Sequence, residues 1–163
     1  MRRKEREVVK SEEIAEVLDS CKVCRLGVQD EDGVYIVPLN YGYVMENGVL
    51  TLYFHGAKEG KKMELIRKAP KVGFEIDGGR GLQEGDKACQ YSYYFVSVIG
   101  KGTAQVVEDP EEKLHALEIL MKHQTGKEFP EFKENPKLEK AVGILKVEAE
   151  TYTCKKHQPA GIQ

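Results

Sequence analysis

The chain has 163 residues, of which 40% are hydrophobic and 32% charged, and its net charge is −2. These values are typical of a soluble globular protein, and we expect one domain over residues 1–163 with a core at about 8–154. The near-neutral charge gives no reason to expect nucleic acid as a partner, and the basic start MRRKER is expected to be a solvated arm. No apolar run approaches the roughly 20 residues of a membrane span, and no signal-peptide core follows the start. We therefore expect no membrane partner and a cytoplasmic location.

The first predicted element is a helix that begins near Ser11. Glu12 and Glu13 place negative charge in its first turn, which stabilises a helix N-terminus. Its apolar face is formed by Ile14, Val17, Leu18 and Cys21.

Three strands are predicted next, at 23–29, 34–44 and 49–54, because the apolar period changes there from 3.6 to 2. The turn sequence DEDG separates the first two strands, and Asn47 with Gly48 separates the second from the third. Turns this short join antiparallel neighbours, so the three strands are predicted to form a meander.

A short helix is predicted at about 60–68, and Pro70 ends it. A strand follows at 71–76. The next stretch, 77–87, contains four glycines and is predicted to be an exposed loop.

A long strand is predicted at 89–107, with a bend or bulge at its paired glycines. Asp109 and Pro110 then give a strong helix start, and Gly126 is expected to end that helix. Its predicted buried stripe consists of Leu114, Leu117, Leu120 and Met121. A last strand is predicted at 141–154. This order of elements favours an α+β fold, mainly β, in which helices pack outside a small antiparallel barrel.

The four cysteines are Cys21, Cys24, Cys89 and Cys154. Cys21 and Cys24 form a CxxC pair, but no second pair or histidine spacing supplies further ligands for zinc. We therefore expect no metal site, and we interpret Cys21 and Cys24 as buried apolar residues. A redox role for Cys21 stays open.

The stretch FHGAKEGKK, residues 54–62, is the first candidate site. Gly56 and Ala57 are small enough to let a ligand approach the backbone, and the following helix would present unpaired N–H groups. Lys61 and Lys62 oppose the helix dipole at a cost of ~0.3–1 kcal/mol each, and a bound phosphate would turn that cost into attraction. The alternative is an ordinary loop with two solvated lysines.

The second candidate is the strand segment VPLNYGY, residues 37–43. Pro38 cannot donate to a sheet ladder, so it indicates either an edge strand or a place where pairing is broken and backbone groups are free for a ligand. Asn40 offers both a donor and an acceptor, and Tyr41 and Tyr43 are expected to face the same way. Ser97 is polar within the apolar run FVSVIG and needs a partner there, which the backbone alone could supply.

Together, RLGVQDEDGVYIVPLNYGY, LYFHGAKEGKK and YYFVSVIGKGTAQVVEDPEEKLHALEILMKHQTGK resemble the flavin-binding split-barrel superfamily that contains pyridoxamine 5′-phosphate oxidase. Within it, the chain is most similar to the 5-nitroimidazole-resistance branch. The resemblance covers most of residues 8–154. Its most specific parts are the VPLNYGY strand and the pattern HxAxxGxK, formed by His55, Ala57, Gly60 and Lys62.

This resemblance implies a six-stranded antiparallel split β-barrel with flanking helices, a homodimer, and FMN at the dimer interface. It implies phosphate contacts from Lys61 and Lys62, with Arg25 as a further phosphate partner. The remaining cofactor-binding residues that it implies are Val37, Pro38, Leu39, Asn40, Phe54, His55, Ala57, Ser97 and Val98.

The resemblance also implies an activity. The oxidases themselves carry an arginine in a C-terminal segment that handles the pyridoxal substrate, whereas this chain has no arginine after Arg80. Reduction of a small nitro or other oxidised compound through bound FMN is therefore expected, with His55 as the catalytic proton donor or substrate contact. Substrate contacts are expected around His55, Tyr41 and the glycine-rich stretch 77–86. Alternatives are FAD or haem as the cofactor, a flavin or haem carrier or sensor without turnover, and a dimeric scaffold without FMN.

Overall fold

The protein, represented by a computed structural model, is described from residue 3 to residue 158, apart from the side chains of Arg80 and Pro136. Its strands are β1 (Glu7–Val8), β2 (Val23–Asp30), β3 (Gly33–Glu46), β4 (Val49–Gly56), β5 (Lys71–Gln83), β6 (Ser92–Val107) and β7 (Gly143–His157). Its α-helices are α1 (Ser11–Ser20), α2 (Lys61–Lys68), α3 (Pro110–Thr125) and α4 (Glu131–Glu134). Short 3₁₀ turns lie at Lys4–Arg6, Ala88–Gln90 and Pro136–Ala141. None of the helices within residues 3–158 has the length and apolar character needed to cross a membrane.

Six of the strands close into a ring. The sheet runs in the order β1-β7-β4-β3-β2-β5-β6, and β6 also pairs with β7, so β2 to β7 form the barrel. The short strand β1 pairs with residues 154–155 of β7, beyond the part of β7 that pairs with β4. Every pair is antiparallel. The six-stranded antiparallel split barrel with flanking helices is therefore confirmed.

The barrel interior is filled by alternate residues of each strand. Cys24, Leu26 and Val28 of β2 are fully buried, because every second side chain of a strand points inward. Helix α1 packs Val17 and Leu18 into the same core. Cys21 and Cys24 are both buried, as expected, and burial raises the pKa of Cys24 to about 12.

Helix α3 covers the outside of β3 and β4. Its N-cap is Asp109, whose carboxylate accepts a hydrogen bond of 2.8 Å from the Glu112 N–H, and Gly126 ends it with φ of 72°; both predictions are confirmed. Of the predicted stripe, Leu117 and Leu120 are buried, whereas Leu114 and Met121 are only half-buried. Lys113 is buried instead, because its ammonium pairs with the Glu139 carboxylate at 3.0 Å.

The glycine-rich stretch 77–87 was predicted to be a loop, and that prediction is wrong for its first half. Strand β5 continues to Gln83 and pairs with β6 as far as Ser92. The pairing shifts register between Gly79 and Leu82, and Gly81 has a positive φ of 108° that glycine adopts readily. A bulge lies beside the paired glycines of β6, as expected, but its extra residue is Glu150 of β7, which has no partner between Lys101 and Gly102.

Candidate functional site

Strands β3 and β4 separate along part of their length. Strand β3 pairs with β4 only from Tyr41, opposite Phe54, to Glu46, opposite Val49. Its first half, residues 33–40, pairs only with β2, while the end of β4 pairs with β7 through His55 and Gly56. We call this gap in pairing, between residues 35–40 and residues 55–62, the opening.

The β3 side of the opening exposes an unpaired strand edge. Pro38 lies in this half, so the chain forms an edge there, as the proline indicated. The side chains of Val37 and Leu39 are half-buried and pack toward the core, whereas those of Pro38 and Asn40 are exposed on the outer face. Backbone groups on the free edge are available to a ligand.

The other side of the opening ends in the start of α2. Gly60 is its N-cap with φ of 123°, and no side chain caps the helix. The Gly60 carbonyl accepts hydrogen bonds from the N–H groups of Met63 and Glu64. The N–H groups of Lys61 and Lys62 have no carbonyl of their own helix to bond, so this end of α2 is suited to an anion.

Lys62 brings an unpaired positive charge to the opening. Its side chain lies over Gly56, so close that a Cβ built on that glycine would be 2.9 Å from Lys62 Nζ. Glycine at position 56 therefore leaves room for this lysine. Within the described part of the chain, no carboxylate lies within ion-pair distance of the Lys62 ammonium.

Lys61 is arranged differently. Its ammonium lies 2.6 Å from an Asp30 carboxylate oxygen and 5.0 Å from the centre of the Tyr35 ring. The hydrogen bond with Lys61 lowers the pKa of Asp30, and the same contact raises the pKa of Lys61. Since Asp30 ends β2 and Tyr35 lies on β3, Lys61 reaches across the mouth of the opening.

His55 is the exposed imidazole of this region. It pairs through its backbone with Ile144 of β7, and no side chain within residues 3–158 forms a hydrogen bond or an ion pair with its ring. Ala57 follows it in the exposed loop, and Phe54 before it is fully buried in the core. Only the backbone of Phe54 can therefore border a ligand.

The remaining predicted residues lie away from the helix start. Arg25 is opposite Pro38 on the outer face, and its guanidinium donates to the carboxylates of Glu75, at 2.9 Å, and Asp77. These contacts raise the pKa of Arg25 and neutralise its charge locally.

Ser97 and Val98 lie on β6, which two strands, β2 and β5, separate from β3. Ser97 is half-buried, opposite Asp77, and Val98 is fully buried in the barrel core. The structure thus gathers Val37–Asn40, His55, Ala57, Lys61 and Lys62 around the opening, but not Ser97 or Val98.

One further expectation about the site needs correction, whereas the expectation that Tyr41 and Tyr43 face the same way is confirmed. Tyr41 was expected near a substrate, but it is fully buried and its hydroxyl donates to the Leu18 carbonyl at 2.7 Å. Tyr43 likewise faces α1, where its hydroxyl donates to Asp19 at 2.9 Å. The two tyrosines of β3 therefore hold α1 against the barrel.

Sequence reasoning missed an apolar patch on the outer face of β2, β3, β5 and β6. Val34, Ile36 and Ile99 are 65%, 63% and 53% exposed there, and they line a groove of about 560 Å³ around Gly27 and Gly73. In the sequence, this patch is indicated only by the apolar residues at outward positions of β3. They are hard to recognise, because β3 is an almost continuous apolar run in which inward and outward positions look alike.

It also missed the end of α3. The Gln124 side chain donates to the carbonyls of Tyr41, at 2.8 Å, and Lys22, at 3.1 Å. It also accepts from the Asn40 side chain at 3.1 Å. No local pattern could have paired residues so far apart in the chain.

A six-stranded antiparallel barrel that is open between β3 and β4, with a lysine-bearing helix start beside the opening, defines a split β-barrel. The family model for pyridoxamine 5′-phosphate oxidase matches residues 10–156. The chain belongs to that family.

Solved structures agree with this assignment. A protein from Bacteroides thetaiotaomicron, provisionally described as a 5-nitroimidazole antibiotic resistance protein, is 30% identical, with a TM-score of 0.75 over 91% of this chain and 85% of its own. An FAD-binding protein from Mesorhizobium loti is 23% identical, with a TM-score of 0.61 over 92% of this chain and 96% of its own.

An FAD- and haem-binding protein from Mycobacterium smegmatis is 14% identical, with a TM-score of 0.77 over 94% of this chain and 74% of its own. These last two show the same fold. A search among curated proteins finds none that matches this sequence.

Proposed function

We propose that the protein is an FMN-dependent oxidoreductase of the nitroimidazole-resistance type, which reduces a small nitro or other oxidised compound. The observation that carries this proposal is the opening, where the unpaired Lys62 ammonium and the uncapped start of α2 lie across from the free edge of β3. The likeness to the 30% identical Bacteroides thetaiotaomicron protein supports the choice of activity.

The residues of the opening fit a phosphorylated flavin. Lys61, Lys62 and the first N–H groups of α2 would hold the phosphate, and residues 37–40 would border the ring system. A single phosphate-binding site of this kind suits FMN, which carries one phosphate, better than FAD. Bound FMN would supply the electron transfer, and the protein would bind and orient the reactants.

His55 is proposed as the residue that contacts the substrate. Its ring is exposed beside the opening and has no protein partner within residues 3–158, so it is free to bind a ligand. An imidazole can hold or release a proton near neutral pH. The residue would therefore supply a proton to an oxygen or nitrogen of the compound being reduced.

We also propose a homodimer with the flavin at its interface. The opening is a gap in pairing rather than an enclosed cavity, and a second subunit would shield it from water. The patch of Val34, Ile36 and Ile99 is the kind of exposed apolar surface that a partner covers. Light scattering should give a dimer, and Ile36→Glu should shift it toward monomer; a monomeric wild-type protein would overturn the dimer.

A cytoplasmic location is part of the proposal and agrees with four cysteines that form no disulfide.

The test begins with the absorption spectrum of the purified protein and chromatography of the released cofactor. Flavin bands with FMN released are the expected result. The protein is then reduced by dithionite without oxygen, and a nitroimidazole is added; reoxidation by that compound is expected. Flavin bands without such reoxidation would favour a carrier or sensor, and a haem-type band would favour haem. A colourless protein that does not bind added FMN would refute the proposal.

A further inference from the structure

Several hydrogen bonds connect Asn40, on the β3 side of the opening, to the end of α3 and to the backbone before β2. The Asn40 side-chain nitrogen donates to the Lys22 carbonyl at 3.0 Å and to the Gln124 side-chain oxygen at 3.1 Å. The Gln124 side-chain nitrogen donates to the carbonyls of Lys22 and Tyr41. Asn40 thus joins the strand edge to the end of α3.

The orientation of both amides follows from their backbone partners. A carbonyl oxygen can only accept, so the atom of Gln124 that faces Lys22 and Tyr41 must be its nitrogen. Its oxygen therefore faces Asn40, and Asn40 must present its own nitrogen to that oxygen and to the Lys22 carbonyl. Both N–H bonds of Asn40 are then used. Its oxygen, Oδ1, has no donor among the described residues and remains an acceptor on an exposed side chain.

Gln124 is itself held firmly. Helix α3 lies so close to β3 that a Cβ built on Gly42 would be 2.6 Å from the Leu120 Cα. The residue before Gln124, His123, contacts the Cys21 carbonyl through its ring nitrogen at 3.0 Å, and its own carbonyl accepts from the Lys22 ammonium at 2.6 Å. Neither the helix end nor the amide of Gln124 can therefore turn easily.

We propose that Gln124 is a positioning residue that fixes Asn40 as a hydrogen-bond acceptor for a ring N–H of the bound flavin. The proposal rests on the proposed function. Oxidised flavin has a single ring N–H, at N3, so Asn40 would select a ligand with a donor at that place. Asn40 held the other way round would present donors and would favour a ligand oxygen instead.

The test compares FMN with FMN methylated at N3, which cannot donate from that position. Dissociation constants are measured by quenching of flavin fluorescence with the oxidised compounds. The wild-type protein should bind FMN about tenfold more tightly than the methylated compound, the value of one hydrogen bond. Asn40→Ala should bring this ratio close to one. Gln124→Ala should also lower it, though by less, because Asn40 then keeps only its hydrogen bond to the Lys22 carbonyl and turns more easily.

Two controls separate positioning from a structural role. Gln124→Glu keeps the acceptor to which Asn40 donates but loses both donations to the backbone, so the ratio should stay close to the wild-type value. Lys62→Ala should weaken the binding of both compounds and leave their ratio unchanged. Thermal unfolding identifies any variant that fails to fold. The comparison of wild type with Asn40→Ala tests the acceptor role of Asn40 independently of the Gln124 variants.

The outcomes distinguish this proposal from the proposed function. A wild-type ratio near one, with tight binding of FMN, would overturn the role of Asn40 and leave the flavin site standing. An unchanged ratio in folded Gln124→Ala, or an equal loss in folded Gln124→Glu, would overturn the positioning role. Binding of neither compound by the wild-type protein would refute the proposed function, and this inference with it.

Discussion

Replacing Lys62 by alanine tests the anion site most directly. Lys62 and Lys61 are neighbours at the start of α2, but the Lys61 ammonium is paired with Asp30, whereas Lys62 has no carboxylate partner within residues 3–158. The Lys62 charge is therefore available to a phosphate without breaking a contact of the protein. Lys61→Ala is the matched control, since it removes the same group from the adjacent position.

The expected size follows from the value of a hydrogen bond to a charged group, about 1.5–3 kcal/mol. Loss of that interaction should weaken the binding of FMN by about 10- to 150-fold. Lys61→Ala should have a smaller effect, because a phosphate must compete with Asp30 for Lys61. Neither variant should change the melting temperature much, since exposed ion pairs contribute little to stability.

Riboflavin, which lacks the phosphate, provides the decisive comparison. Fluorescence titration should show that Lys62→Ala loses affinity for FMN and keeps its affinity for riboflavin. Equal losses for the two ligands would mean that Lys62 acts on the shape of the loop. No loss for FMN would refute the assignment of the start of α2 as the phosphate site.

Three other predictions concern packing and pH. Gly42→Ala places a methyl group against the backbone of α3 and should lower the free energy of unfolding by about 1–3 kcal/mol or more in urea titrations; an unchanged midpoint would contradict this contact. Gly143→Ala would bring its Cβ to 2.7 Å from Met63 Cε and 2.9 Å from the Ala57 carbonyl, and displacement of the loop at Ala57 should weaken FMN binding in fluorescence titrations; unchanged binding by the folded variant would contradict this. Burial of His123, together with the nearby Lys22 ammonium, lowers its pKa below the usual 6.5. The unfolded chain therefore binds a proton at His123 more readily than the folded protein does. The free energy of unfolding should fall as the pH drops below 6.5. His123→Gln should reduce this slope, and identical slopes in the two proteins would contradict the assignment.

The sequence predicted best the features whose causes are local. The start of α3 could be read from Asp109 and Pro110 because a cap acts within one helical turn. The extension of β5 beyond residue 77 could not, since its glycines have little strand preference and the strand exists there through pairing with β6. The contact of Lys61 with Asp30 was missed for the same reason, because it joins two elements that are far apart in the chain.

The opening and the helix start beside it have a common origin in the topology. Strand β4 must pair with β3 on one side and with β7 on the other, but the pairing with β3 stops at Phe54 while that with β7 continues to Gly56. The chain leaves β4 at this point and turns into α2 through small residues, so an uncapped helix end appears beside the strand edge that has just lost its partner. A shift that extended the pairing of β3 past Tyr41 would close the edge and move the start of α2 away from it. The anion site and the free strand edge are therefore expected to be lost together, and a substitution that displaces one should be detected at the other.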